Sequence, residues 1–159
     1  MGVNIALSVI EGTTLAEVGV EDSTPMPFDE AEHSMDVMGT QVGDRVVLID
    51  SIGGQASKEL AEALGRQVYT VVVSSVSDTY VWEARGGEER LRVLMDGEIA
   101  EDQGEPLDVE EVFDEVDGSD DGFVDHERQH LELFNRVAGV SLSDLWDVEF
   151  VTVRSDPTV

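Results

Sequence analysis

Three runs of residues decide the fold: Val68-Tyr-Thr-Val-Val-Val-Ser74, Thr79-Tyr-Val-Trp-Glu-Ala-Arg85 and Arg90-Leu-Arg-Val-Leu-Met95. The first is rich in β-branched residues and reads as a strand. The other two alternate around Gly86-Gly87-Glu88-Glu89, the pattern of a hairpin with a glycine-bearing turn. Upstream, Arg45-Val-Val-Leu-Ile-Asp50 is a short continuous apolar run, as expected of a central strand. Gly53 and Gly54 follow, then an amphipathic helix over 57–64 that buries Leu60, Ala63 and Leu64 and stops at Gly65. Residues 45–74 therefore outline a strand–helix–strand unit compatible with a parallel crossover.

Toward the N-terminus, Val3, Ile5, Leu7 and Val9 alternate with smaller residues, so 3–10 is expected to be a strand. Residues 11–35 are polar, carry Pro25 and Pro27, and read as loop with a helical turn at 28–34. Residues 96–106 read as a polar break. The segment 107–120 opens as a helix through Val109, Val112, Phe113 and Val116, then turns acidic from Asp117 to Gly122. A second main helix is expected over 123–138, closed by Gly139. Ser141-Leu-Ser-Asp144 resembles a capping box opening a short helix through Trp146, and 149–153 reads as the last strand. The expectation is an α+β fold: one compact domain over 1–159, its mixed or antiparallel sheet of about five or six strands flanked by the helices 57–64 and 123–138. Val47, Ile49, Leu60, Leu64, Val71, Val73, Val93, Leu131 and Phe134 are expected to share one core.

The 159 residues are 41% hydrophobic, enough for a packed core, with no run approaching a membrane span of roughly 18 apolar residues. The start has no basic region of the signal-peptide kind. Cysteine is absent, so disulfides and thiolate metal sites are excluded, in keeping with a cytoplasmic location. Thirty-six acidic residues against nine basic ones give a formal charge of −27. That field repels nucleic acid and anionic membranes and attracts basic partners. Salt adaptation, a genome bias toward arginine (Lys58 is the one lysine) or an acidic binding face would each produce it.

The sharpest local motif is His126-Glu-Arg-Gln-His130. On a helix, histidines four apart share a face and can bind zinc while the glutamate activates the metal-bound water. A wheel at about 100° per residue puts His126, Glu127 and His130 in the apolar half, where a carboxylate needs pairing. No G-x-x-H extension follows His130, so the metzincin pattern is missing. Asp117-Gly-Ser-Asp-Asp-Gly-Phe-Val-Asp125 resembles the first nine positions of an EF-hand loop. Arg128, however, stands where the bidentate glutamate belongs, so an acidic helix entry is the expected role. Gly53-Gly-Gln-Ala-Ser-Lys58 lies where phosphate loops occur but lacks their spacing. No G-x-S-x-G elbow is present.

Gln41 to Asp50 together with His126-Glu-x-x-His-Leu131 is similar to two short patches of peptide deformylase. That family's cysteine ligand and glycine-rich first motif are missing, so the likeness implies no such activity here. Ser75-Val-Ser-Asp-Thr-Tyr80, Gly86, Asp96-Gly-Glu98 and Glu101-Asp-Gln-Gly-Glu-Pro-Leu107 resemble a group of uncharacterised acidic bacterial proteins with a hairpin and a G-E-P-L segment. That resemblance implies a fold and no role. The resulting expectation is a non-enzymatic cytoplasmic interaction protein that binds a basic protein partner, of immunity-protein or inhibitor type. Direct nucleic-acid or membrane binding is not expected. The alternative is a small zinc-dependent hydrolase with His126 and His130 as ligands and Glu127 as base.

Overall fold

The computed structural model describes residues 4–20, 24–32, 37–49, 59, 62–74, 76–115 and 126–153. Nine strands form one sheet: β1 (Asn4–Glu11), β2 (Met26–Pro27), β3 (Met38–Val42), β4 (Arg45–Ile49), β5 (Val68–Ser74), β6 (Thr79–Arg85), β7 (Arg90–Met95), β8 (Glu98–Gln103) and β9 (Glu149–Thr152). Their order is β2-β9-β3-β4-β1-β5-β6-β7-β8, and every neighbouring pair is antiparallel. The helices are short apart from one: α1 (Leu15–Val18), α2 (Phe28–Ala31), α3 (Val112–Glu115, entered through a 3₁₀ turn at Asp108–Glu111), α4 (His126–Ala138) and α5 (Leu142–Leu145).

This corrects the expected sheet of five or six strands between two main helices. The sheet is half as large again, and α4 is the one long helix among the described residues. The strands missing from the sequence reading are β2, β3 and β8. Only two residues form β2. In β3, Gly39, Thr40 and Gln41 break up any apolar run. At the sheet edge, β8 (Glu-Ile-Ala-Glu-Asp-Gln) is exposed along its whole length, so its polar sequence resembles a loop's. Half of the expected helix 57–64, including Leu60, lies outside the described residues, although Glu59 and 62–64 are helical. The expected crossover is present in altered form. Strands β4 and β5 both pair antiparallel with β1, one on each side, so they run in the same direction without touching.

The pleat sends alternate residues to opposite faces, and each face has its own apolar cluster. On one face Leu7, Val9, Val47, Ile49, Val71, Val73, Tyr80, Trp82 and Leu94 meet Leu133, Phe134 and Val137 of α4. The other face gathers Ile10, Val46, Leu48 and Val68 with Val18, Val37 and Val153, and Leu64 packs here. The single expected core is thus two, and Val93 and Leu131 are only half-buried. Gln129, His130, Leu133, Phe134, Val137 and Ala138 make the buried stripe of α4, recurring at helical spacing. Gly139 ends that helix at φ 74°, a conformation that costs glycine least.

Candidate functional site

The His-Glu-x-x-His segment forms the first turn of α4, as its spacing indicates. His130 is fully buried, whereas His126 and Glu127 are half-buried. Beyond its own helix, the His130 ring meets two aromatic side chains. It lies between Tyr80 of β6 (ring centroids 5.3 Å apart) and Phe113 of α3 (5.2 Å), while His126 leans on Tyr80 at 5.7 Å. Its Nδ1–H donates to the His126 carbonyl oxygen at 2.7 Å. A carbonyl only accepts, so Nδ1 carries the proton and Nε2 keeps its lone pair. Burial lowers the His130 pKa to about 4, against the raising effect of that hydrogen bond, and the charges of Arg92 and His126 lower it further. Among the described residues, buried His130 Nε2 and His126 Nδ1 have no hydrogen-bond partner. Among the described residues no three His, Asp or Glu side chains are grouped to hold a metal ion. The acidic segment 117–125 and the glycine turn at 53–58 lie outside the described residues.

Beside the histidines, β7 directs two arginines to the α4 face of the sheet. Strand pairing sets Arg90 opposite Ala84 and Arg92 opposite Trp82. Arg90, with only 3% of its side chain exposed, is clasped by Glu110 through Nε (2.9 Å) and Nη2 (3.0 Å). Asp102 of β8 also pairs with it. The Glu110 hydrogen bonds hold the guanidinium pKa above its ordinary value, outweighing burial. Burial alone would push the Glu110 carboxyl up; Arg90 and the Leu107 N–H, 2.7 Å away, together hold it below the usual range. Arg92 lies over the Phe113 ring at 4.5 Å, and burial lowers its pKa. The Arg90–Glu110 pair thereby fixes residues 107–110 against the sheet.

Across from that segment, β5 places Tyr69 in near-parallel stacking with Trp82 (5.7 Å between centroids, 8° between planes). Tyr69, Glu88, Pro106, Leu107, Asp108, Val109 and Val137 enclose an open cleft of about 340 Å³. Both rims are anchored. The Gln67 side chain accepts from the Glu88 N–H at 2.8 Å and donates to the Glu88 carbonyl at 3.1 Å. Gly86, at φ 103°, brings this turn against Arg66, where a β-carbon would stand 2.2 Å from the Arg66 carbonyl oxygen. The opposite rim hangs on Glu110. Burial, followed by the charges of Glu11 and Glu88, pushes the Tyr69 phenol up to about 12. A second open cleft of about 260 Å³ between β6, β7 and residues 103–104 contains Glu83, Arg85 and Arg90, whose charges pair with other side chains of the chain.

The sequence reading picked out His126, Glu127 and His130 but none of the residues of the Tyr69 cleft. Their positions, from 69 to 137, form no local motif. The signal that was available is Arg90 and Arg92, because charges on an inward strand face require acidic or aromatic partners. No family model, curated protein or solved structure matches this chain.

Proposed function

We propose that the protein is a non-enzymatic interaction protein that binds a basic protein partner, in the manner of an immunity protein or inhibitor. The observation that carries this reading is the disposition of its cations. Each described arginine is engaged within the chain: Arg45 with the Ala138 carbonyl, Arg66 with Glu17, Arg85 with Glu83, Arg90 with Glu110 and Asp102, Arg92 with Phe113, Arg136 with Glu115, and Arg128 likewise has a partner. With these seven arginines so occupied, the excess of 36 acidic residues over 9 basic ones faces an approaching molecule as predominantly negative potential. No helix of the described residues is long and apolar enough to cross a membrane.

The test is affinity capture from the source cells with the purified protein as bait. One basic protein should be recovered in near-stoichiometric amount at about 50 mM salt and released near 0.5 M, as screening shortens the reach of exposed charges. Substoichiometric recovery of many basic proteins, with none dominant, would instead assign the acidity to salt adaptation.

A further inference from the structure

We infer that the Tyr69 cleft is the anchor pocket for one lysine or arginine side chain of the basic partner. This deepens the reading above and rests on it. The cleft offers what a long cationic side chain needs at each level. Leu107, Val109, Val137 and Pro106 line it for an aliphatic stem, which buries its methylenes while keeping the charge near water. The Tyr69 ring presents an aromatic surface, to which cations are drawn by the ring quadrupole. Glu88 and Asp108 stand at the opening, and neither has an ion-pair partner among the described residues. Two uncompensated carboxylates beside an apolar, aromatic recess disfavour an anion or a wholly apolar occupant and select a cation with a hydrocarbon stem.

The rigidity of the cleft supports the same assignment. Gln67 ties down the backbone of Glu88, and Arg90 through Glu110 ties down Leu107, so both rims stand in place before any ligand arrives. Preorganisation of this kind reduces the ordering cost of binding. Arg90 therefore acts as a positioning residue, buried under the rim and spent on two carboxylates, leaving Asp108 and Glu88 to face the partner.

The experiment is calorimetric titration of the full chain with octalysine at about 20 mM salt, where surface electrostatics are least screened. The Glu88→Gln/Asp108→Asn double variant should weaken binding about tenfold, more than removal of two diffuse surface charges. The control pair Glu98→Gln/Glu101→Gln, on the exposed edge strand β8, removes the same charge away from the cleft and should weaken it less than about threefold. Val109→Trp keeps every charge but fills the recess, and should also weaken binding, by about fivefold or more, if a stem enters there. Amide shifts on titration should centre on Tyr69, Glu88 and Leu107 to Val109. Equal losses in the cleft and β8 double variants, with Val109→Trp unchanged, would overturn the pocket and leave the basic-partner reading standing. Failure of the parent to bind octalysine at all would overturn both.

Discussion

Acidification should remove a stabilisation that resides in His130. Its ring is wholly buried between Tyr80 and Phe113, and its pKa drops from 6.5 to about 4 on folding. The unfolded chain therefore takes up this proton first. The stability owed to the neutral imidazole is fully present above pH 6.5 and is lost progressively as pH falls toward 4, below which it changes no further. Between pH 7 and 4.5 the loss works out at about 2 kcal/mol, a large fraction of a typical domain's stability. Protonation of the surplus carboxylates relieves self-repulsion over part of the same range and acts in the opposite direction, while Glu110, held low by Arg90, loses its own stabilisation as it protonates. The total pH profile is therefore uninformative by itself, and the comparison with His130→Leu isolates the imidazole. Urea unfolding of both proteins at half-unit steps from pH 7 to 4.5, with chelator present, should show the parent losing about 2 kcal/mol more than the variant. Parallel curves would refute the reasoning, since they would mean that His130 protonates as readily folded as unfolded.

Three further outcomes follow from the same geometry. Arg90→Ala leaves Glu110, with 8% of its side chain exposed, without its counter-charge, and should cost about 3–5 kcal/mol in denaturant unfolding; Arg90→Met with Glu110→Leu should recover much of that loss. Phe134→Ala opens a cavity beneath α4 and should cost about 3–5 kcal/mol, whereas half-buried Leu131→Ala should cost clearly less. Elemental analysis of dialysed protein is expected to find no stoichiometric zinc; bound zinc lost in both His126→Ala and His130→Ala, with hydrolytic activity, would establish the hydrolase alternative.

The strands that could be read from sequence were those whose surroundings match their composition. β1, β4, β5, β6 and β7 lie side by side through the interior of the sheet, and their apolar periodicity, like the alternation of β9, follows directly from burial. β8 bears no such imprint because neither of its faces is covered, so Glu98 to Gln103 keep loop-like polarity while pairing with β7. β3 fails for a different reason. Gly39 lies where a β-carbon would come 2.8 Å from the Leu48 side chain, and the Gln41 amide donates to the Thr13, Gly43 and Arg45 carbonyls. Packing and loop anchoring, and no propensity of its own, hold that strand.

The chemistry was legible only where it was local. A His-Glu-x-x-His spacing announces itself within five residues, and the structure places it on the helix its periodicity requires. What the spacing could not reveal is that Tyr80 and Phe113, 50 and 17 residues upstream of His130, would pack against its ring. The arginines carry a longer-range signal. Hairpin register sends Arg90 and Arg92 to the same face as Trp82 and Tyr80, which is the face that must bury apolar surface. A guanidinium there is tolerable only if carboxylates or aromatic rings reach it from another element. The polar stretch just downstream is dense in acids and contains Phe113, so it was the natural source of those partners. It is Asp102, Glu110 and Phe113 that engage the two arginines. Polarity in that stretch thus marks a segment folded back over the sheet, and with it the rim on which Leu107, Asp108 and Val109 face Tyr69.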